Sequence, residues 1–200
     1  STSFHLRTLG LALVLAGGSS RRFGSDKAAV VVDEQAQLDF LVSVLAKVVS
    51  DVRISIRSDQ SSDSLRAAYP QILDQQTELG PAGGLLAAHK LEPESAWLVV
   101  ACDMPSITAN LLRELIHRRE PHRGATAFVG SDGKPEPLCA IYEPATLTIL
   151  QASVASDGHG VMGPRQLLLD ADTALIQPVA GSTESFNTPD ELAGIRQRRV

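Results

Sequence analysis

The stretch LGLALVLAGGSSRRFGSDKA, residues 9–28, decides the fold because it supports two incompatible interpretations. A basic residue at Arg7, an apolar run over residues 9–16 and small residues after it are typical of the start of a secretory signal peptide. The same letters are also typical of a buried strand that leads into a glycine-rich phosphate-binding loop. The first interpretation removes the segment from the mature protein, whereas the second makes it part of an active site.

Two observations favour the strand and loop. LALVLA is a short continuous apolar run bounded by Gly10 and Gly17, as expected for a strand buried on both faces. Directly after it, Gly17 and Gly18 give a tight turn, and residues 19–22 supply hydroxyl and guanidinium groups where a cleavage region would be small and neutral. We therefore predict a first strand followed by a phosphate-binding loop.

The remainder of the chain alternates strand-like and helix-like patterns, so it requires a first strand. Apolar residues recur at helical spacing from Leu38 to Val48, and residues 52–57 alternate apolar and polar side chains, as in a strand with one wetter face. Residues 97–105, WLVVACDMP, contain a second buried strand, which ends on an aspartate, Asp103. The other predicted helices are a short one over 61–69, one opened by GPAGG, and one through Ile107, Leu111 and Leu115. The other predicted strands cover 71–73, 126–129, 138–142 and 174–177. A closing helix is predicted from Thr188, Pro189 and Glu191, which suit its N-cap, first and third positions.

This alternation predicts an α/β fold with a mostly parallel sheet covered by helices on both faces. Two hundred residues suit one compact domain, so we expect residues 1–200 to form a single unit.

Composition narrows the function classes. A net charge of -5 without a long basic block argues against a nucleic-acid surface, and no run approaches the roughly 20 apolar residues that cross a bilayer. Cys102 and Cys139 lie far apart and form no CxxC pair. We expect a soluble chain in the reducing setting of the cytoplasm, with neither nucleic acid nor membrane as a partner.

Three predicted loop or strand ends carry the candidate chemistry, because ligands of open parallel sheets bind at the carboxyl ends of strands. The Gly17-Gly18 loop can present backbone N–H groups to phosphate oxygens, and Arg22 and Lys27 add positive charge suited to a polyphosphate. Asp103 could hold Mg²⁺ between the protein and substrate phosphates, or it could cap the helix near Ile107.

Asp74, at the end of another predicted strand, leaves two interpretations open. It could contact a ribose or a base, or it could begin a turn.

The segment LAGGSSRRFGSDKA resembles the LAGGxSxRMGxDKA signature of the molybdenum cofactor guanylyltransferases and their relatives, which are nucleotidyltransferases with a Rossmann-like, three-layer α/β/α fold. Further matches follow in the same order along nearly the whole chain: Asp74 ahead of GPAGG, VACDMPSIT, PEPLCAIY and FNTPDEL.

The resemblance implies roles for matching positions. Leu15, Ala16, Gly17 and Gly18 would line the nucleotide base and phosphates, Lys27 would contact phosphate, Asp74 would approach the nucleoside and Asp103 would hold Mg²⁺. Arg22 would join Lys27 and Asp103 in catalysis, and residues 135–138 and Asn187 would lie near the pterin. The reaction implied joins the phosphate of molybdopterin to the α-phosphorus of GTP and releases pyrophosphate. Transient contact with molybdoenzymes or their chaperones would follow.

The sequence departs from the family pattern at residues 54–57, which read ISIR where guanylyltransferases usually have an asparagine-containing NANR-like run. Three hypotheses follow. The chain is a guanylyltransferase that uses GTP, a cytidylyl relative or a transferase for another phosphorylated acceptor, or an inactive nucleotide-binding accessory of a molybdoenzyme.

Overall fold

The computed structural model describes residues 9–18, 26–32, 35–155, 160, 162–179, 183, 191 and 194–195. Its strands are β1 (Leu11–Leu15), β2 (Val31–Val32), β3 (Gln35–Ala36), β4 (Asp51–Arg57), β5 (Gln71–Asp74), β6 (Trp97–Ala101), β7 (Ala125–Val129), β8 (Pro135–Tyr142) and β9 (Thr173–Ile176). Its α-helices are α1 (Gln37–Leu45), α2 (Pro81–Leu91), α3 (Ala109–His117), α4 (Pro144–Ala155) and α5 (Pro164–Asp170). Short 3-10 turns lie at Lys27–Ala29, Ser58–Gln60, Arg66–Ala68 and Thr77–Leu79.

The main sheet has seven strands in the order β5-β4-β1-β6-β8-β7-β9. Strand β1 pairs in parallel with β4 on one side and with β6 on the other, and β5 extends the parallel half beyond β4. Strand β8 runs antiparallel to both of its neighbours, β6 and β7. The predicted mostly parallel sheet is confirmed, with β8 as the exception.

Side chains of successive strand residues point to opposite faces of the sheet, and each face has its own hydrophobic cluster. On one face Ala12, Val14, Leu98 and Val100 pack against α1 and α3. On the other face Leu13, Trp97 and Val99, among others, pack against α2, α4 and α5. Strands β1 and β6 are therefore buried on both faces, and the predicted three-layer α/β/α architecture is confirmed.

Two local features differ from the sequence prediction: the segment 61–69, and the helices α4 and α5. Residues 61–69 do not form one α-helix: the described backbone has turns there and a 3-10 turn at Arg66–Ala68. The Asp63 carboxylate accepts a hydrogen bond from the Arg66 N–H at 3.3 Å, and the Asp63 carbonyl accepts one from the Ala67 N–H at 2.8 Å. Asp63 therefore caps one short turn, and Pro70 keeps the preceding Tyr69 extended, so the turn does not continue as a helix. Helices α4 and α5, each opened by a proline, were not predicted. Of the predicted closing helix, Glu191 is helical, while Thr188 and Pro189 lie outside the described residues.

Candidate active site

The predicted functional segments converge at one edge of the sheet. Because β1, β4, β5 and β6 are parallel, their carboxyl ends share that edge, and the antiparallel β8 begins there. The register places Leu15 beside Ser55 of β4 and Ala101 of β6, with Arg57 beside Asp74. The sheet thus brings together groups that lie far apart in sequence, at the edge where ligands of open α/β sheets bind.

The glycine turn after β1 packs closely against β4. A Cβ at Gly17 would lie 3.3 Å from the backbone nitrogen of Arg57 and 3.3 Å from Cα of Ile56. A Cβ at Gly18 would meet no atom of the described residues within 4 Å. Gly17 therefore serves the packing of the turn on the sheet, whereas Gly18 leaves open space for a ligand to approach the backbone.

Lys27 and Asp103, separated by 76 positions in sequence, form an ion pair at this edge. The Lys27 Nζ lies 3.0 Å from Asp103 Oδ2, and the two side chains are 12% and 19% exposed. Lys27 opens the 3-10 turn Lys27–Ala29, and Asp103 follows β6 by two residues. The two residues that the sequence selected for phosphate and metal binding are therefore neighbours.

Asp103 does not cap the following helix. That role belongs to Thr108, whose hydroxyl accepts a hydrogen bond from the Leu111 N–H at 3.2 Å. The second carboxylate oxygen of Asp103, Oδ1, is buried and has no hydrogen-bond partner among the described residues. The structure thus favours the ligand interpretation of Asp103 over the capping one.

A magnesium ion fits this donor set. Mg²⁺ prefers carboxylate oxygens and is commonly held by one or two carboxylates together with substrate phosphates, so it requires no dedicated protein cage. Among the described residues no group of three or more His, Cys, Asp or Glu side chains is placed to hold a metal. The orphaned Asp103 Oδ1 is the atom that a divalent cation would satisfy.

Asp74 stands at the end of β5, under the first turn of α2. Its carboxylate accepts a hydrogen bond from the Gln76 N–H at 2.7 Å, as in a turn. Burial raises the pKa of Asp74; the Gln76 N–H opposes that rise and the charge of Glu78 adds to it. A Cβ at Gly83 would lie 2.6 Å from each carboxylate oxygen, so only glycine allows α2 to approach this closely. Both interpretations of Asp74, as a turn residue and as a group facing the ligand edge, are compatible with this geometry.

The unusual ISIR segment of β4 places its isoleucines in the core. Ile54 and Ile56 are fully buried in the cluster that packs against α1 and α3. Arg57, at the end of the strand, donates a hydrogen bond to the Gly17 carbonyl at 2.8 Å and pairs with Asp59. Residues 54 and 56 therefore support the sheet, and Arg57 tethers the glycine turn.

Glu136 is a further carboxylate at this edge, within the segment 135–138 that the resemblance placed near the pterin. Strands β6 and β8 pair from Trp97 with Tyr142 to Val100 with Cys139, so Asp103, just after β6, and Glu136, near the start of β8, lie at the same edge of the sheet. Burial raises the pKa of Glu136, and the charge of Asp103 contributes to the rise.

Arg66 is the residue that sequence reasoning missed. Its side chain is 2% exposed, and it joins the Ala16 carbonyl to the carboxylates of Asp26 and Asp63. A single arginine in a segment rich in serine and aspartate carries no sequence signal that separates it from a surface residue.

Two predicted site residues, Arg22 and Asn187, lie outside the described residues, so their roles stay predictions. Leu15 and Ala16 lie where expected, at the end of β1. The side chain of Leu15 packs under α2, since a Cβ at Gly84 would lie 2.7 Å from its Cδ2 atom.

Within the described part of the chain, no helix combines the length and the apolar character needed to span a membrane.

Comparison with known proteins identifies the family of the chain. Residues 12–174 match the MobA-like NTP transferase domain family. The chain is 34% identical to the "Molybdenum cofactor biosynthesis bifunctional protein" of Synechocystis over 92% of its own length, and it spans about half (52%) of that relative. It is 31% identical to the "Molybdenum cofactor guanylyltransferase" of Shewanella frigidimarina, with 90% of this chain and 92% of that protein covered.

A solved structure shows the same fold. "Molybdopterin-guanine dinucleotide biosynthesis protein A" from Archaeoglobus fulgidus superposes with a TM-score of 0.75 at 21% identity, covering 94% of this chain and 98% of that one. The sequence match over most of the chain, together with the shared fold, shows that the chain belongs to the MobA-like NTP transferase family and is a nucleotidyltransferase.

Proposed function

We propose that the protein transfers GMP from GTP to molybdopterin and releases pyrophosphate. The observation that carries the proposal is the Lys27–Asp103 pair beside the glycine turn, at the carboxyl edge of the sheet. The names of the relatives supply the substrates: a molybdenum cofactor guanylyltransferase and a molybdopterin-guanine dinucleotide biosynthesis protein.

In this reaction the protein positions two reactants and neutralises charge. The backbone of Gly18 leaves room for phosphate oxygens, and the ammonium of Lys27 compensates their negative charge. The nucleophile is already a phosphate of the acceptor, so no serine or histidine relay is required. Arg22 would add a second positive charge suited to the polyphosphate of GTP.

Mg²⁺ is the proposed cofactor, held by Asp103. When bound, the ion would supply positive charge that stabilises the negative charge developing on the substrate phosphates. The hydrogen bond from the Lys27 ammonium to Oδ2 orients the Asp103 carboxylate, so Oδ1 is the oxygen that would bind the ion.

We also propose a single domain and a cytoplasmic location for the protein. One sheet with a hydrophobic cluster on each face supports a single domain over residues 1–200. We infer a cytoplasmic enzyme whose product passes to molybdoenzymes or their chaperones by transient contact.

The choice of base is tested by the change in melting temperature with GTP, CTP, ATP and UTP, each with and without Mg²⁺. A ligand that binds only the folded state raises the apparent stability by mass action. We expect a shift selective for GTP. A shift selective for CTP would identify a cytidylyltransferase instead.

Turnover is tested by pyrophosphate release from GTP in the presence and absence of molybdopterin. We expect release that depends on molybdopterin, and its loss in Asp103→Asn. The matched control is Asp172→Asn, because Asp172 is an exposed carboxylate that precedes β9 at the opposite edge of the sheet. Nucleotide binding without turnover would contradict the proposal and favour an inactive accessory protein.

A further inference from the structure

A buried arginine outside the proposed catalytic set joins both ends of the segment 17–25. Two nitrogen atoms of the Arg66 guanidinium donate to the Ala16 carbonyl at 3.1 and 2.8 Å. The Asp26 carboxylate accepts two hydrogen bonds, from Nη1 at 2.6 Å and from Nη2 at 2.8 Å. Arg66 thus contacts the residue before Gly17 and the residue before Lys27 at the same time.

The contact with Asp26 reaches Lys27 through the backbone. Asp26 is the N-cap of the turn Lys27–Ala29, and its Oδ1 atom accepts a hydrogen bond from the Ala28 N–H at 3.1 Å. The same carboxylate therefore binds the guanidinium on one side and fixes the turn that carries Lys27 on the other. A displacement of Asp26 would move the start of this turn, and with it the Lys27 ammonium relative to Asp103.

The charges in this cluster stabilise one another. Burial raises the pKa of Asp26, but the hydrogen bonds and positive charge of Arg66 outweigh that effect and leave the pKa below its usual value. Burial likewise lowers the pKa of Arg66, and the carboxylates of Asp26 and Asp63 more than offset it. Only the planar fork of arginine presents enough fixed donors to bind a carbonyl and a carboxylate together, so lysine is not an equivalent.

We propose that Arg66 is a positioning residue for nucleotide transfer: by tying the Ala16 carbonyl to Asp26 it holds the glycine turn and Lys27 in register with Asp103. Its contribution to catalysis rests on the proposed function. Its contribution to the geometry of the Lys27 turn stands without it.

The kinetic test compares Arg66→Met with Arg119→Met. Arg119 is the matched control: it is also a buried arginine, 11% exposed, and its guanidinium pairs with the Glu143 carboxylate at 2.7 Å. Glu143 directly follows β8, whose end pairs with the start of β6, so this ion pair lies at the edge opposite Asp103. Misplacement of catalytic groups by an ångström can cost about a hundredfold in rate. We expect Arg66→Met to lower kcat/KM for the nucleotide by about tenfold to about a hundredfold, and Arg119→Met to change it by less than about twofold.

Two further variants separate positioning from general loss of structure. Asp26→Asn keeps Arg66 and its hydrogen bonds to the Ala16 carbonyl. This variant therefore tests the Arg66–Asp26 contact without removing the buried guanidinium. Both substitutions break the same Arg66–Asp26 contact. The double variant, Arg66→Met with Asp26→Asn, is therefore expected to have a kcat/KM no lower than that of the poorer single variant. If the two residues acted independently, the two losses in kcat/KM would multiply. Compared with Arg66→Met, Arg66→Lys is expected to restore a larger share of the free energy of unfolding than of kcat/KM.

A readout independent of activity completes the test. Hydrogen exchange of the Ala28 amide reports whether the turn that carries Lys27 is held, and we expect faster exchange in Arg66→Met but not in Arg119→Met. Unchanged Ala28 exchange, or equal kinetics in the two arginine variants, would overturn the proposal. Absence of transfer in the wild-type protein with every nucleotide would refute the proposed function, and the exchange experiment would still decide whether Arg66 positions Lys27.

Discussion

The contact between α2 and Asp74 predicts that Gly83→Ala destabilises the protein, although alanine is the better helix former. The added methyl group would lie 2.5 Å from the Gln76 carbonyl oxygen and 2.6 Å from both Asp74 carboxylate oxygens. Ordinary van der Waals contact begins at 3.4 Å, so a backbone carbonyl and a hydrogen-bonded carboxylate must both retreat. The carbonyl belongs to the backbone, and the carboxylate ends a short side chain that the Gln76 N–H holds at 2.7 Å.

The magnitude follows from two opposing effects. Overpacking of a tight site costs about 1 to 3 kcal/mol, and alanine in place of glycine inside a helix returns up to about 1 kcal/mol. We expect a net loss of about 1 to 2 kcal/mol, which in a chain of this size lowers Tm by roughly 2 to 8 °C.

Calorimetry or denaturant unfolding of Gly83→Ala and Gly18→Ala provides the assay. A Cβ at Gly18 meets no atom of the part of the chain that the structure describes within 4 Å, so this control is expected to keep its Tm. It is expected to weaken GTP binding, because the methyl group would occupy the space that a phosphate would approach. A Gly83→Ala variant with an unchanged or higher Tm would refute the argument that Asp74 is fixed by the close approach of α2.

Two further changes have defined outcomes. Burial lowers the pKa of His89 below its usual 6.5, although the charge of Glu94 acts in the opposite direction. As the pH falls through 6.5, the unfolded chain takes up a proton that the folded chain does not yet bind, so the free energy of unfolding decreases. Urea titrations between about pH 7.5 and about pH 5.5 are expected to show a smaller decrease in the free energy of unfolding for His89→Gln than for the wild-type protein. An equal decline in both proteins would contradict this. Thr108→Ala removes the N-cap of α3 and is expected to cost about 1 kcal/mol, or a fall in Tm of roughly 2 to 4 °C, and an unchanged Tm would show that the cap contributes nothing.

The sequence predicted those parts of the fold that depend on local pattern. The apolar runs of β1 and β6 predict strands buried on both faces, and the residues that follow these strands, Gly17 and Asp103, are predicted site residues. Parallel topology then accounts for their meeting at one edge, because parallel strands end together.

The parts that could not be predicted depend on contacts between distant segments. The antiparallel direction of strand β8, PEPLCAIY, has no signature in the residues themselves. Arg66 owes its role to the Ala16 carbonyl, 50 positions away, and to Asp26, 40 positions away. Its own neighbours in the sequence predicted only a short helix, whereas the backbone there forms turns and one 3-10 turn, Arg66–Ala68.

The central claim is that Lys27 and Asp103 form the site where the α-phosphorus of GTP is transferred. The most direct measurement follows GTP labelled at its α-phosphorus, in the presence of molybdopterin and Mg²⁺, with the wild-type protein and with Asp103→Asn. Loss of a preorganised charge at a reacting centre typically costs about a hundredfold to about a thousandfold in rate. The account predicts that the label enters a molybdopterin dinucleotide with the wild-type protein and does so at least about a hundredfold more slowly with the variant. Equal transfer by the two proteins, or label recovered only in unreacted GTP with both, would contradict it.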